Sequence, residues 1–184
     1  LRTKPFLGAL HPLEGLYAAA TYTDSPIIKD AVHFFKYKHV RALAHPLGSL
    51  MHASVASFFK LNPHQEWHAI PVPLHRRKHA ERGFNQNDLL AENCFEGRAP
   101  VTLLTRKNNP LTRVRDTKSQ TDLSREERLK NVQDVFTAQE QSVRGKNILL
   151  IDDVITTGAT LQSAARALSH AGARHIWGVV LARD

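Results

Sequence analysis

The run Ile148-Leu149-Leu150-Ile151 ends abruptly in two adjacent carboxylates, Asp152 and Asp153. Val154 and Ile155 follow, then the small, hydroxyl-rich Thr156-Thr157-Gly158-Ala159-Thr160, and then a helical pattern. An apolar run without alternation predicts a strand buried on both faces, as in a parallel sheet. Open α/β sheets place their ligands beyond the C-terminal ends of such strands, which is where the two acids stand. The threonine-rich turn offers backbone N–H groups and hydroxyls at a helix N-terminus, a natural anion site. Acids beside an anion pocket predict a ligand with hydroxyls or a metal at one end and a phosphate at the other. A strand capped by two solvated aspartates and a Thr-Gly turn would explain the acids alone and leave the rest to coincidence.

The remaining chain supplies a frame for this stretch. Its 184 residues suffice for one well-cored domain, and 42% hydrophobic content is ordinary for a globular protein. Residues 1–14, with Pro5, Gly8 and Pro12 and no clear period, read as an N-terminal arm. Residues 15–184 read as one domain, with residues 15–62 as an N-terminal subregion. That subregion opens with a strand over 15–23. Asp24 or Ser25 then caps a helix that starts at Pro26 and carries Ile27, Ile28, Ala31, Val32, Phe34 and Phe35 on an amphipathic pattern. Leu43, Leu47, Leu50, Met51, Val55 and Phe58 predict a second helix over 40–59, with Pro46 kinking it or moving its start. A short strand follows over 69–73, where Pro71 and Pro73 suit a strand end. A helix over 85–95, a strand over 101–105 and a last strand over 176–182 complete the pattern, and Gly172 ends the helix after the Thr turn. Strands alternating with helices imply an α/β fold, a mostly parallel sheet with right-handed crossovers.

Two polar segments interrupt this frame. Residues 74–86 form a dense basic loop after a strand, containing Arg76, Arg77, Lys78 and Arg82. Residues 106–130 hold few apolar side chains and many charged ones, among them Arg113, Arg115, Lys118, Arg125 and Arg128. A polar insertion of that length in an α/β domain predicts a mobile lid. The net charge of +8 suits a polyanionic partner, either phosphates or nucleic acid. No zinc spacing occurs, and His33, His39, His45 and His52 read as surface or satisfied core groups. No apolar run is long enough for a membrane span, and the single cysteine, Cys94, points to a reducing, cytoplasmic setting.

The stretch from Ile148 to Thr160 closely resembles the phosphoribosyl pyrophosphate (PRPP) motif of type I phosphoribosyltransferases: an apolar strand, two acids, two apolar residues, then Thr-Thr-Gly-Gly/Ala-Thr. Further matches narrow the resemblance. Val72-Pro73-Leu74-His75-Arg76-Arg77, then Arg82-Gly83-Phe84-Asn85-Gln86, then Arg113 and Arg115 with Thr117, Gln120, Leu123, Arg128 and Asn131-Val132, look like the ComF family. Those are phosphoribosyltransferase-like proteins associated with DNA uptake, and the match runs from about residue 15 to residue 184. Many members carry an N-terminal four-cysteine zinc ribbon, which is not in this sequence. The resemblance implies a type I phosphoribosyltransferase fold. It implies that Thr156, Thr157, Gly158, Ala159 and Thr160 cradle the 5′-phosphate of PRPP. Asp152 and Asp153 would take the ribose hydroxyls, directly or through metal-bound water. Arg76, Arg77 and Lys78 would hold the pyrophosphate. Arg113 or Arg115 would reach the leaving group from the lid. Mg²⁺ would bind mainly through PRPP, with Asp152 and Asp153 nearby.

Three functions follow from these readings. The first is a transferase that moves the phosphoribosyl group to an unknown base or amine and releases pyrophosphate. The second is a non-catalytic, PRPP-sensing accessory protein of the DNA-uptake machinery. The third is a basic module for single-stranded nucleic acid, for which aromatic stacking platforms are sparse, Phe84 being the exception in the basic segments.

Overall fold

A computed structural model describes residues 12–62, 64–95, 101–105, 108–115 and 135–184. Five strands form one parallel sheet: β1 (Gly15–Thr21), β2 (Trp67–Pro71), β3 (Val101–Leu103), β6 (Asn147–Ile155) and β7 (His175–Arg183), in the order β1-β7-β6-β2-β3. The apolar run lies in β6, the central strand. Leu149 stands opposite Ala69 on one side and Trp177 on the other, so β6 is paired along both edges.

Both faces of the sheet are covered, which is why the run carries no alternation. Ile148 and Leu150 face helix α6 (Ala159–His170), which buries Leu161, Ala164, Ala165 and Leu168. Leu149 and Ile151 join the opposite core with α1 (Pro26–Tyr37), α2 (Ala44–Leu61) and α4 (Gln86–Phe95), through Val32, Phe35, Met51, Val55, Phe58, Leu90 and Cys94. Gly172 (φ 85°) closes α6 as expected: its N–H donates to Ser169 O and Ala173 N–H to Leu168 O, so two terminal carbonyls are satisfied. Before β1, Leu13 is buried and the Glu14 carboxylate accepts hydrogen bonds from His175 and Trp177, so the chain joins the sheet edge from residue 13 on.

Boundaries move in several places. β1 ends at Thr21, β2 occupies Trp67–Pro71, and α2 begins at Ala44, which puts Pro46 in the first turn where its missing N–H is harmless. The larger correction concerns the basic loop. Arg76–Arg82 is a helix, α3. The His75 ring accepts a hydrogen bond from Arg77 N–H, Arg77 pairs with Glu81 one turn on, and Gly83 (φ 75°) ends the helix in the left-handed region. No α3 residue is buried, so no apolar period announces it.

The polar segment over 106–130 also begins with structure. β4 (Leu111–Arg113) pairs antiparallel with β5 (Phe136–Ala138), and Leu111 is 2% exposed. The short helix α5 (Glu140–Val143) leads from this ribbon to β6. The rest of the expected lid, residues 106–107 and 116–130, lies outside the described residues.

Gly178 tests the packing of this frame. A Cβ there would stand 2.6 Å from Leu16 Cδ1 and 2.9 Å from Leu161 Cδ2, inside the contact between β1, β7 and α6. Gly178→Val is expected to lower unfolding free energy by about 1–3 kcal/mol, the usual cost of overpacking. An unchanged chemical-denaturation midpoint would contradict this packing.

Candidate functional site

Asp152 and Asp153 lie in the C-terminal half of β6, and α4 reaches both. Gln86 Nε2 donates to Asp153 Oδ2 at 2.9 Å, and Asn87 Nδ2 donates to Asp152 Oδ1 at 2.9 Å. Asn85 and Asn87 both donate to Val72 O, at 3.3 and 3.0 Å, which anchors the start of α4 to the chain leaving β2. A helix that opens on buried Gln86, Asn87 and Asp88 is therefore oriented by polar contacts before its apolar face begins.

The two acids are held differently. Asp153, 4% exposed, forms an ion pair with Lys36 Nζ of α1 at 2.8 Å, and its Oδ1 accepts from Val154 N–H at 2.6 Å. Asp152 Oδ1 accepts from Asn87 and from Asp153 N–H, while its Oδ2 takes no hydrogen bond among the described residues. Burial raises the Asp152 carboxyl to about 7, the Asp153 charge pushes the same way, and Lys36 and the hydrogen bonds only partly offset them. Burial also works against the Lys36 charge, but Asp153 outweighs it and holds the ammonium above the ordinary lysine value.

Around these carboxylates lies a cleft of about 480 Å³. Tyr22, His33, Lys36 and Tyr37 form one wall, Lys78 and Arg82 of α3 another, and Arg113 of β4 a third. Arg82 donates to Gln86 Oε1 and lies 5.8 Å from the Tyr37 ring, while Arg113 lies 5.5 Å from the Phe136 ring. At the floor, the turn after β6 carries Gly158 at φ 77°, and Ala159 N–H donates to Thr157 Oγ1. Thr156, Thr157, Gly158, Ala159 and Thr160 line a small hollow together with Asp152, at the positive end of α6.

Of the expected site residues, Asp152, Asp153, Lys78, Arg113, Thr156 and Thr160 meet in one cleft, with Thr157, Gly158 and Ala159 completing the turn beneath it. Arg76 lies on another side of α3, lining a different cavity. Arg77 is exposed and paired with Glu81, and Arg115 is exposed beyond β4. Sequence reasoning misses Lys36, which looks like an ordinary basic residue in the last turn of α1, and His33, which reads as a surface or core group. Arg82, Gln86 and Asn87 do carry a signal: polar residues crowd the start of a helix at the end of a strand.

Among the described residues no group of three or more His, Cys, Asp or Glu could cage a metal ion. Asp153 is engaged by Lys36, and Asp152 Oδ2 is the carboxylate oxygen left for a ligand. That donor set fits a cation brought by a polyanionic ligand and keeping its own waters. No helix among the described residues is long and apolar enough to cross a membrane.

Residues 97–184 match the family described as "Phosphoribosyl transferase domain". Competence protein ComFC of Bacillus subtilis is 34% identical over 153 residues, covering 83% of this chain and 58% of that protein. DNA utilization protein YhgH of Shigella flexneri is 31% identical over 170 residues, covering 88% of this chain and 69% of that protein. Competence protein F of Haemophilus influenzae is 34% identical over 117 residues, 61% of this chain and 49% of that protein.

The Asp152 carboxyl makes stability depend on pH. An unfolded aspartate ionises near 3.8, the folded one near 7, so between these values the folded state holds the extra proton and loses stability as pH rises. An asparagine in its place does not ionise. Asp152→Asn is therefore expected to be more stable than the parent by roughly 1–4 kcal/mol at pH 8, with the gain shrinking as pH falls from about 7 and gone by about pH 4. Denaturant unfolding at both pH values checks this, and a variant less stable at pH 8 would contradict it.

Proposed function

This chain belongs to the ComF family of phosphoribosyltransferase-fold proteins, and on that premise we propose that its cleft binds PRPP with Mg²⁺ and transfers the phosphoribosyl group to a base or amine. The observation that carries this reading is the meeting, in one cleft, of the unengaged Asp152 oxygen, the Thr156–Thr160 turn and the cations Lys78, Arg82 and Arg113. The turn takes the 5′-phosphate, with Gly158 allowing close approach of the backbone. Asp152 Oδ2 accepts from a ribose hydroxyl. Asp153, fixed by Lys36 and Gln86, keeps Asp152 in place through its backbone N–H.

Lys78 and Arg82 face the pyrophosphate from α3, and Arg113 faces it from the ribbon. Negative charge grows on pyrophosphate as its bond to C1 breaks, so fixed cations bind the transition state more strongly than the substrate. Mg²⁺ carried by PRPP would add to that charge neutralisation. The acids beside the ribose oppose the positive charge that develops on the sugar. The acceptor enters past Tyr22, His33 and Tyr37, which form the wall on the α1 side.

The names of the relatives, competence protein and DNA utilization protein, support a role for this chemistry in the uptake or use of DNA. The chain spans 58% of ComFC, so the activity of the whole relative is part of the proposal. A cytoplasmic setting fits the buried thiol of Cys94. A second reading keeps the pocket and omits transfer, with PRPP as an effector. The Lys36 ion pair favours it, because one of the two acids is already neutralised.

Isothermal titration with PRPP and Mg²⁺ is expected to show one site. Asp152→Asn/Asp153→Asn should weaken it at least about tenfold, from loss of a charge-assisted hydrogen bond. No binding by the parent chain, together with no change in the variant, would sink the proposal. Release of pyrophosphate on addition of candidate bases separates the transferase from the effector reading.

A further inference from the structure

Helix α3 has three faces, and only one of them serves the cleft. Lys78 and Arg82, one turn apart, line it, while Arg77 and Glu81 pair with each other in solvent. Arg76, His79 and Ala80 line a second cavity of about 830 Å³ on another side of the helix. Leu74, just before α3, lines both cavities, and α3 contributes residues to each.

The second cavity combines apolar walls with cations. Leu74, Ala80, Phe84 and Leu89 supply the apolar surface. Arg41 enters from the turn before α2: its guanidinium lies 4.9 Å over the Phe84 ring, and Nη2 donates to Gly83 O at 3.4 Å. That hold keeps the guanidinium over the ring at the edge of the cavity. Arg41, Arg76 and His79 form no ion pair among the described residues, and Asp88 is the one acid in the lining, largely buried. A guanidinium held over a phenyl ring, beside further cationic and imidazole donors, complements a ligand with a planar ring and a phosphate.

We infer that this second cavity binds a nucleoside monophosphate, its phosphate on Arg41, Arg76 and His79 and its base against the Arg41–Phe84 stack and Leu89. The site is separate from the PRPP cleft, and the inference does not depend on PRPP binding there.

The test uses the full chain and titrates adenosine 5′-monophosphate calorimetrically, with and without saturating PRPP and Mg²⁺. One monophosphate is expected to bind in both conditions, and adenosine at least about tenfold more weakly, for want of the charged contacts. Arg41→Ala/His79→Gln should weaken the monophosphate at least about tenfold and leave PRPP affinity within about threefold. Arg76→Glu should weaken the monophosphate as well. The inference is overturned by monophosphate binding that PRPP displaces, by variants that bind it unchanged, or by no binding up to millimolar concentration. Tight, steeply salt-dependent binding of a short single strand where the mononucleotide fails would overturn it too, and assign the cavity to a polynucleotide. If PRPP binds nowhere while the monophosphate still binds, the proposed function fails and this inference stands.

Discussion

Asp153 is buried, charged and gripped from two helices. Lys36 brings α1 to it and Gln86 brings α4, and both reach the same oxygen. A buried ion pair rarely adds much net stability, because desolvation offsets its attraction. Removing one partner is a different matter, since the other remains charged in an apolar setting. The pair therefore fixes an arrangement. It sets the distance between the wall built from α1 and the end of β6, and hence the width of the cleft. Arg82 extends the tie by resting between Gln86 and Tyr37, which links α3 to the same network.

The consequence for Asp152 is chemical. Its neighbour's charge is balanced by Lys36, yet Asp152, half-buried, has only amide partners. It is the acid whose affinity for a proton, or for a hydroxyl or cation of a ligand, is left unmet. Two identical side chains, adjacent in sequence, thus divide into one held by an ion pair and one with a carboxylate oxygen left open. Which one takes which role is decided by helices more than sixty residues away in sequence.

Much of this is legible in the amino-acid sequence. Ile148-Leu149-Leu150-Ile151 fits a strand covered on both faces, and the acids and turn after it locate the cleft. What stays hidden shares one cause: polar residues carry no period. α3 has no buried residue, so its charges read as a loop, and a loop gives no basis for sorting Lys78 from Arg76. Once it is a helix, a two-residue offset puts them in different cavities. The ribbon of β4 and β5 is concealed in the same way, since Leu111 is an isolated apolar residue in a charged run. Lys36 is inconspicuous because a lysine in the last turn of a helix needs no further explanation.

β1 lies at one edge of the sheet, and among the described residues its sole strand neighbour is β7. Gly15 thus pairs with Trp177, near the opposite end of the sequence. On a ribosome, β1 and the helix that follows it emerge long before the strand they need. The sheet cannot be completed, nor Lys36 delivered to Asp153, until β6 and β7 have been made. Contacts so distant in sequence slow the search for the native state, and meanwhile an apolar strand waits unpaired. The same topology that lets α1 close over the end of β6 makes the cleft depend on contacts between residues more than a hundred positions apart.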